Sequence, residues 1–461
     1  MSIAFFAGGF QVFALGTYGV TSLDIIMILY YILFIGKSII NNAEYKIPKS
    51  LISLGMAMLV VSILVSSLNM FSGLLTSHII QYFKSAVHIF QLMLLSIIFI
   101  SEEQDLRLSD NLIKIWLVLS IFLNIFGVYQ IFARAFDLPL AWLNYSNISM
   151  TMRGAAEEDV ISQLSLQFGN FFRATSVFSE PTALATFNLY ILIFTLIPAL
   201  QRHESFIKSR IVNIVIVLCA VLGLFLSFSL TGILGLFLIL GVIFILESTR
   251  ARLKIAKYLA IFILLLIPAD LLILNYTETS VIELFSKRIT GTIFKNNKMY
   301  ERTDGDSFNS RSQSFKEAYT IWTTSPIYGV GLGLTQYQKN ITINYSDFSI
   351  MAALAEMGII GAVSFATFFA GLFYIGYKAN AYSKNNREIN DMERRQFGII
   401  IYVLIVHFEI NFITGNNLVS PNLWFVLIFV LIPIYRYMQL NNYKYITFKL
   451  FNKSPIEKYL T

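Results

Sequence analysis

The sequence predicts an all-α polytopic membrane protein with about twelve transmembrane helices. Three observations lead there. Apolar runs of about 20 residues, the length of a bilayer crossing, recur along the chain. Charged residues make up 13% of the 461 residues and hydrophobic ones 56%, against about 25% charged in an average soluble domain, and mean hydropathy is +0.67. Lys and Arg also concentrate in alternate connections between the runs. The chain therefore reads as one integral membrane domain, 1–461, with no internal repeat and no low-complexity segment.

In order, the spans are read at 3–17, 21–37, 51–70, 86–101, 112–133, 182–200, 211–227, 231–248, 257–275, 350–377, 398–414 and 421–436. The first is short and Gly-rich. No Lys or Arg precedes Lys37, so the basic start of a cleavable signal peptide is missing and this first segment is expected to remain as a span. Pro181 opens the sixth. The single cysteine, Cys219, lies inside the seventh, which excludes an internal disulfide and a thiolate metal site.

An even number of spans puts both termini on one side. Loops 38–50, 102–111, 201–210, 249–256, 378–397 and the tail from 437 then share that side and hold most of the basic residues outside the long loops. The opposite short loops, near 18–20, 71–85, 228–230 and 415–420, offer only Lys84. The positive-inside rule therefore places both termini in the cytoplasm. Net charge is +7 and the pI near 9.2. Because the basic residues flank spans, the partner they imply is the lipid bilayer and its anionic headgroups, not nucleic acid.

Two outer loops are long, 134–181 and 276–349. Loops of this length escape the charge rule and usually have a function. The first ends in Phe171–Thr182, which holds Arg173 and, directly before Pro181, Glu180. A residue before proline is extended, so the Glu180 carboxylate should sit near the helix N-terminus. Two readings follow: an interfacial ion pair between Arg173 and Glu180, or Arg173 as a phosphate clamp with Glu180 as its orienting partner or a base.

In the second loop, Ser310 and Gln313 fit a capping box that would start a short amphipathic helix running to Trp322. Phe315, Tyr319 and Trp322 form one apolar stripe, suited to lying on the outer membrane surface. Ser325-Pro326 ends the helix. Arg311 would then sit in the first turn, unfavourably placed for the helix dipole, and either binds an anionic partner or snorkels to lipid phosphates. Arg173 and Arg311, fixed on one side of a bilayer, suggest a site for an anionic lipid headgroup, most simply a diphosphate. Arg288 is a further candidate ligand, and Arg302 lies in the same loop. Gly329 and Gly331, in a run that continues to Gly333, permit either a tight backbone re-entry or an approach of N–H groups to that diphosphate. They lack the spacing and the lysine of a nucleotide loop.

Asp347 and Glu356 flank the start of the tenth span, ahead of Gly358 and Gly361. A carboxylate at membrane depth is a functional candidate, although Glu356 near the outer end could instead face interfacial water. His407 and Glu409 interrupt the eleventh span and are read as helix-packing residues, while Asp24, Asp270 and His88 are read as span-edge or packing residues. No spacing of His and carboxylates suits a metal.

These residues resemble the bacterial O-antigen polymerase and O-antigen ligase superfamily. The resemblance rests on Arg173 with Glu180-Pro181, on Arg311 followed by Trp322, Pro326, Gly329 and Gly331, and on the spacing into Gly358 and Gly361. It implies a GT-C-like glycosyltransferase of the bacterial inner membrane, without metal or cofactor, whose two long loops are periplasmic. Its donor and acceptor would be oligosaccharides on undecaprenyl diphosphate, and a chain-length regulator would be a further partner. Arg173, Arg311 and Arg288 would bind the diphosphate, and Asp347, Glu180 or Glu356 would serve as catalytic base. The ligase branch looks like a histidine eleven residues before the first glycine of Gly-x-x-Gly; that position here is Asp347, followed by Phe348. The missing histidine favours an O-antigen polymerase and makes Asp347 a candidate for its role. An O-antigen ligase and a capsule or exopolysaccharide polymerase are neighbouring readings. A lipid-linked oligosaccharide flippase is the alternative of another class, but would be expected to have short loops and two similar halves.

Overall fold

Short polar residues at the edges of the apolar runs decide where many of the helices begin. The computed structural model describes residues 11–15, 18–41, 44–71, 76–101, 105–143, 163, 167–168, 171–277, 280, 282–283, 286, 305–335, 349–386, 388–415 and 421–449. Strands β1 (Gln11–Leu15) and β2 (Tyr18–Thr21) form an antiparallel hairpin ahead of α1 (Ser22–Asn41). Thr21 and Asp24 cap α1 reciprocally: the Asp24 carboxylate accepts from the Thr21 N–H and hydroxyl at 2.8 and 2.7 Å, and the Asp24 N–H donates to Thr21 Oγ1 at 3.2 Å. After β3 (Glu44–Pro48) come α2 (Leu51–Ser66, capped by Ser50), α3 (Thr76–Ser101) and α4 (Leu106–Ala135, capped by Asp105). The short strands β4 (Gln167–Phe168) and β5 (Phe171–Phe172) pair before α5 (Pro181–Gln201), which opens on a proline in its first turn. Serine caps also start α6 (Arg210–Leu226) and α7 (Leu230–Leu246). They are followed by α8 (Thr249–Thr277), α9 (Gly305–Thr324), α10 (Ser349–Asn385) and α11 (Asp391–Phe408), the last with an Asn390–Glu393 capping box. A π-helical turn (Glu409–Gly415), the short α12 (Pro421–Phe425), α13 (Ile428–Leu440) and β6 (Tyr445–Lys449), which pairs with β3, complete the chain.

Among the described residues, eight helices are long and apolar enough to cross a membrane, and α6 and α7 are shorter apolar helices. The expected spans from 21–37 onward all fall on helices, 257–275 lying within α8. The segment expected as the first span does not: residues 11–15 pair with 18–21 as strands, and residues 1–10 lie outside the described residues. A short apolar run fits either structure by periodicity, and here the aromatic and β-branched residues of Val12, Phe13, Tyr18 and Val20 favour a strand. The even count that placed both termini on one face no longer includes that segment.

Glycines bring the helices close. A Cβ on Gly55 of α2 would overlap the Phe368 backbone of α10, and one on Gly371 would lie 2.7 Å from the Ile52 nitrogen. Trp116, fully buried at the centre, packs against Phe187, Tyr190, Phe425 and Phe429 from α5, α12 and α13. Apolar side chains on the outside, such as Leu33, Ile211 and Ile245, are at least 71% exposed, as expected for surface that meets lipid.

Contacts with α11 fix the direction of two helices that carry candidate residues. His407 of α11 meets Tyr190 of α5 and Phe369 of α10, whereas Gly398 meets Gln201 and Asn380. Both α5 and α10 therefore run antiparallel to α11, and both begin at the same end of the bundle. At about 1.5 Å per residue, Pro181 and Gly358 each stand about 30 Å from the level where Gln201, Asn380 and Gly398 meet.

Candidate functional site

Arg173 owes its position to the end of a neighbouring helix. The last carbonyls of a helix lack partners within it and carry its negative dipole end. At the end of α6, the Leu226 carbonyl accepts from the Ala174 N–H at 3.0 Å and the Ser227 carbonyl accepts from Arg173 Nε at 2.8 Å. Arg173 is thereby buried in the bundle end, 6% exposed.

A polar cage surrounds it. Arg134, at the end of α4, donates from Nε to the Ala141 carbonyl at 2.9 Å, from Nη1 to the Arg173 carbonyl, and from Nη2 to Gln163 Oε1 and Thr175 Oγ1 at 2.9 and 2.6 Å. Its guanidinium stacks on the Trp142 ring at 4.2 Å. Ser176 adopts φ 53°, and its carbonyl accepts from the side-chain amides of Gln130 and Gln163 at 3.0 and 2.7 Å. Glu180 is extended before Pro181 as expected, at φ −145° and ψ 156°, and is exposed; its side chain makes no capping bond.

The second candidate region is a break in α10, at the end of the bundle where α5 also begins. Gly358 has φ 65° and ψ −163°, a region essentially reserved for glycine. In an unbroken helix the Ile359 and Ile360 N–H groups would bond to the Ala355 and Glu356 carbonyls. Instead those carbonyls accept from Val330 and Gly331, both at 3.0 Å, and the two N–H groups donate to Pro326 and Ile327 at 2.9 and 3.4 Å. The segment 326–331 thus takes up these four groups that the break sets free, as backbone at membrane depth requires. Gly329 and Gly331, at φ 71° and 105°, make the re-entrant path possible. Asn69, beyond α2, ties the loop down by donating to the Gly329 carbonyl and, at 3.1 Å, to Ser325 Oγ. The amide hydrogens of 329–331 already go to Ser325, Ala355 and Glu356. Glu356 itself is half-buried in the last turn before the break and accepts from the Thr335 hydroxyl at 3.4 Å.

The helix expected from Ser310 starts earlier, at Gly305, so Ser310 and Gln313 lie inside α9 and not at its N-terminus. Gln313 instead bonds Glu317 at 3.0 Å, one turn on. Arg311 is therefore beyond the first turn, which removes the argument from the helix dipole; its side chain lies outside the described residues. Asp347, Arg288 and Arg302 also lie outside them. α9 ends at Thr324, close to expectation, and packs through Ala318 and Ile321 against Val330, Met351 and Ala355. Phe315 and Tyr319 of the aromatic stripe are exposed. Asp24 and Asp270 serve as capping and packing groups, Asp270 accepting from Ser280 and the Ile282 N–H at 2.7 and 3.1 Å. His407 is buried beside Tyr190, and Glu409, also buried, starts the π-helical turn.

Arg134 and its glutamines had no signal beyond a basic residue closing an apolar run. The comparisons bear on the second region. Residues 215–366 match the family model described as O-antigen ligase. The chain carries a domain of the O-antigen polymerase and ligase superfamily. This superfamily domain runs from α6 to the first half of α10 and includes Arg288, Arg311, Gly329, Gly331, Asp347 and Glu356. Arg134, Arg173 and Glu180 precede it. No curated protein matches the chain significantly.

Proposed function

We propose that this protein is an O-antigen polymerase, a metal-independent glycosyltransferase of the bacterial inner membrane that joins undecaprenyl-diphosphate-linked repeat units at the periplasmic face. One observation carries the reading. A buried guanidinium, Arg173, and a half-buried carboxylate, Glu356, stand at one end of the bundle, each held by backbone contacts from other elements. Asp347, in place of the ligase histidine, supports the polymerase branch.

In this reading an acceptor hydroxyl oxygen attacks the anomeric carbon of the donor. The bond from that carbon to the diphosphate oxygen breaks, and undecaprenyl diphosphate leaves with the electron pair. Arg173 and Arg311, with Arg288, stabilise the charge that develops on the diphosphate. Glu356 takes the hydroxyl proton; Asp347 and Glu180 are the other carboxylates of the site. The phosphate–sugar bond is already activated, so no nucleotide is consumed.

Lipid and glycan analysis of a deletion strain tests this. Loss of a polymerase leaves single repeat units on the lipid A core, and Arg173→Ala or Glu356→Gln should fail to restore long chains. Long chains retained on undecaprenyl diphosphate would identify a ligase instead. An unchanged chain-length ladder in the deletion strain would reject both.

A further inference from the structure

We infer that Arg134 is a positioning residue that aligns Arg173 for a polyprenyl diphosphate, an inference that rests on the function proposed above. Arg134 is 4% exposed, and four of its five N–H groups donate within the protein. Nε, Nη1 and Nη2 all donate, to Ala141, Arg173, Gln163 and Thr175, and its face covers Trp142. A group so engaged does not contact substrate. What it does is fix the chain on both sides of Ala174, through the carbonyl of Arg173 and the hydroxyl of Thr175.

The chemistry of its partners supports a role beyond packing. They are backbone carbonyls, an amide oxygen, a hydroxyl and an aromatic ring, and none carries negative charge. Burying a cation on neutral acceptors is costly, and a structural cross-link at this point would be served as well by uncharged groups. A carboxylate partner would cancel the positive field where the diphosphate is to bind; neutral acceptors preserve it. The planar fork also matters. It reaches Arg173 from one nitrogen and both Gln163 and Thr175 from another, which a lysine ammonium cannot reproduce.

The test uses the full-length protein in detergent, with farnesyl diphosphate as probe and farnesol and inorganic pyrophosphate as controls, read by calorimetry alongside thermal unfolding. Arg173→Lys and Arg134→Lys should each weaken farnesyl diphosphate binding by about tenfold or more. Farnesol binding should not change. The double variant should bind no more weakly than Arg173→Lys alone, because Arg134 acts through Arg173. If the two losses multiply, or Arg134→Lys binds like wild type, the positioning role is wrong while the diphosphate site stands. If Arg173→Lys has no effect, the diphosphate reading itself fails. Should Arg134→Lys not fold, Thr175→Val decides: it removes one acceptor of the fork with little change in shape. It also removes the donor to Gln130 Oε1 at 3.1 Å, so the melting temperature should fall, but the folded protein below that temperature should bind the probe about threefold more weakly; unchanged affinity would overturn the inference.

Discussion

Gly329 lies against the Glu356–Met357 backbone and Gly358 against the Ile327–Tyr328 backbone at the break in α10, and neither position has room for a side chain. A Cβ on Gly329 would overlap the Glu356 carbonyl, and one on Gly358 would overlap the Ile327 carbonyl. Both residues also have positive φ, 71° and 65°. The loop that carries Gly329 and the helix that carries Glu356 are therefore one unit, and the position of the carboxylate depends on the seal between them.

Substitution at either glycine should open that seal. Gly358→Ala and Gly329→Ala should each destabilise the protein by about 1–3 kcal/mol from backbone strain alone, with a further loss from the overlaps. Thermal unfolding in detergent should show it, together with loss of long-chain glycan. Gly241→Ala is the control, since an added Cβ there meets nothing within 4 Å. Equal melting temperatures for Gly358→Ala and Gly241→Ala would contradict the seal.

A second prediction concerns the joint beneath the arginine cage. Asn124 and Asn188 exchange amide hydrogen bonds at 2.8 and 2.9 Å between α4 and α5, and a Cβ on Gly223 of α6 would overlap the pair. Asn188→Leu leaves a buried amide without its partner and should cost about 1–3 kcal/mol. The double change Asn124→Leu with Asn188→Leu should recover much of that loss, because no polar group is then stranded. Gly223→Ala should be the most damaging of the three. A double variant that loses the sum of both single effects would argue against a reciprocal pair.

Acid should weaken the opposite end of the bundle in two stages. His203, between α5 and α6, is held down to about 4 from an ordinary 6.5, first by burial and then by the nearby Arg394 guanidinium. The unfolded chain therefore takes up this proton before the folded one. The stability His203 contributes is complete above about pH 6.5 and is lost as pH falls toward 4. Burial raises the Glu247 carboxyl, but hydrogen bonds from Gln201, Lys384 and Tyr402 outweigh it and hold the group below its ordinary 4.5. Its contribution is lost at lower pH still. Melting temperatures at pH 7.5, 6 and 5 should fall in wild type and fall less in His203→Asn. A flat wild-type profile would refute the His203 contribution.

The spans were legible because the bilayer demands long apolar helices, and runs such as 182–200 and 398–414 have few other solutions. Residues 11–15 misled for the same reason: an apolar run too short to exclude a strand. The start of α9 was missed because Ser310 and Gln313 satisfy a capping pattern that the chain does not use, since upstream residues are already helical. In the site, Arg173 stood out as a cation in a long outer loop before Pro181, and Glu356 as a carboxylate in an apolar span. The break at Gly358 did not, since a glycine in a helical pattern reads the same whether or not its φ is positive. Arg134 was invisible because its importance lies in acceptors distant in sequence, the Gln163 side chain and the Arg173 carbonyl.

The most direct test is turnover by the purified protein on a synthetic undecaprenyl-diphosphate-linked oligosaccharide, following glycan length and released undecaprenyl diphosphate together. Wild type should produce longer glycans with matching release of the lipid diphosphate, and Arg173→Ala and Glu356→Gln should each lose about a hundredfold or more in rate while remaining folded. Turnover by both variants at the wild-type rate would contradict the account.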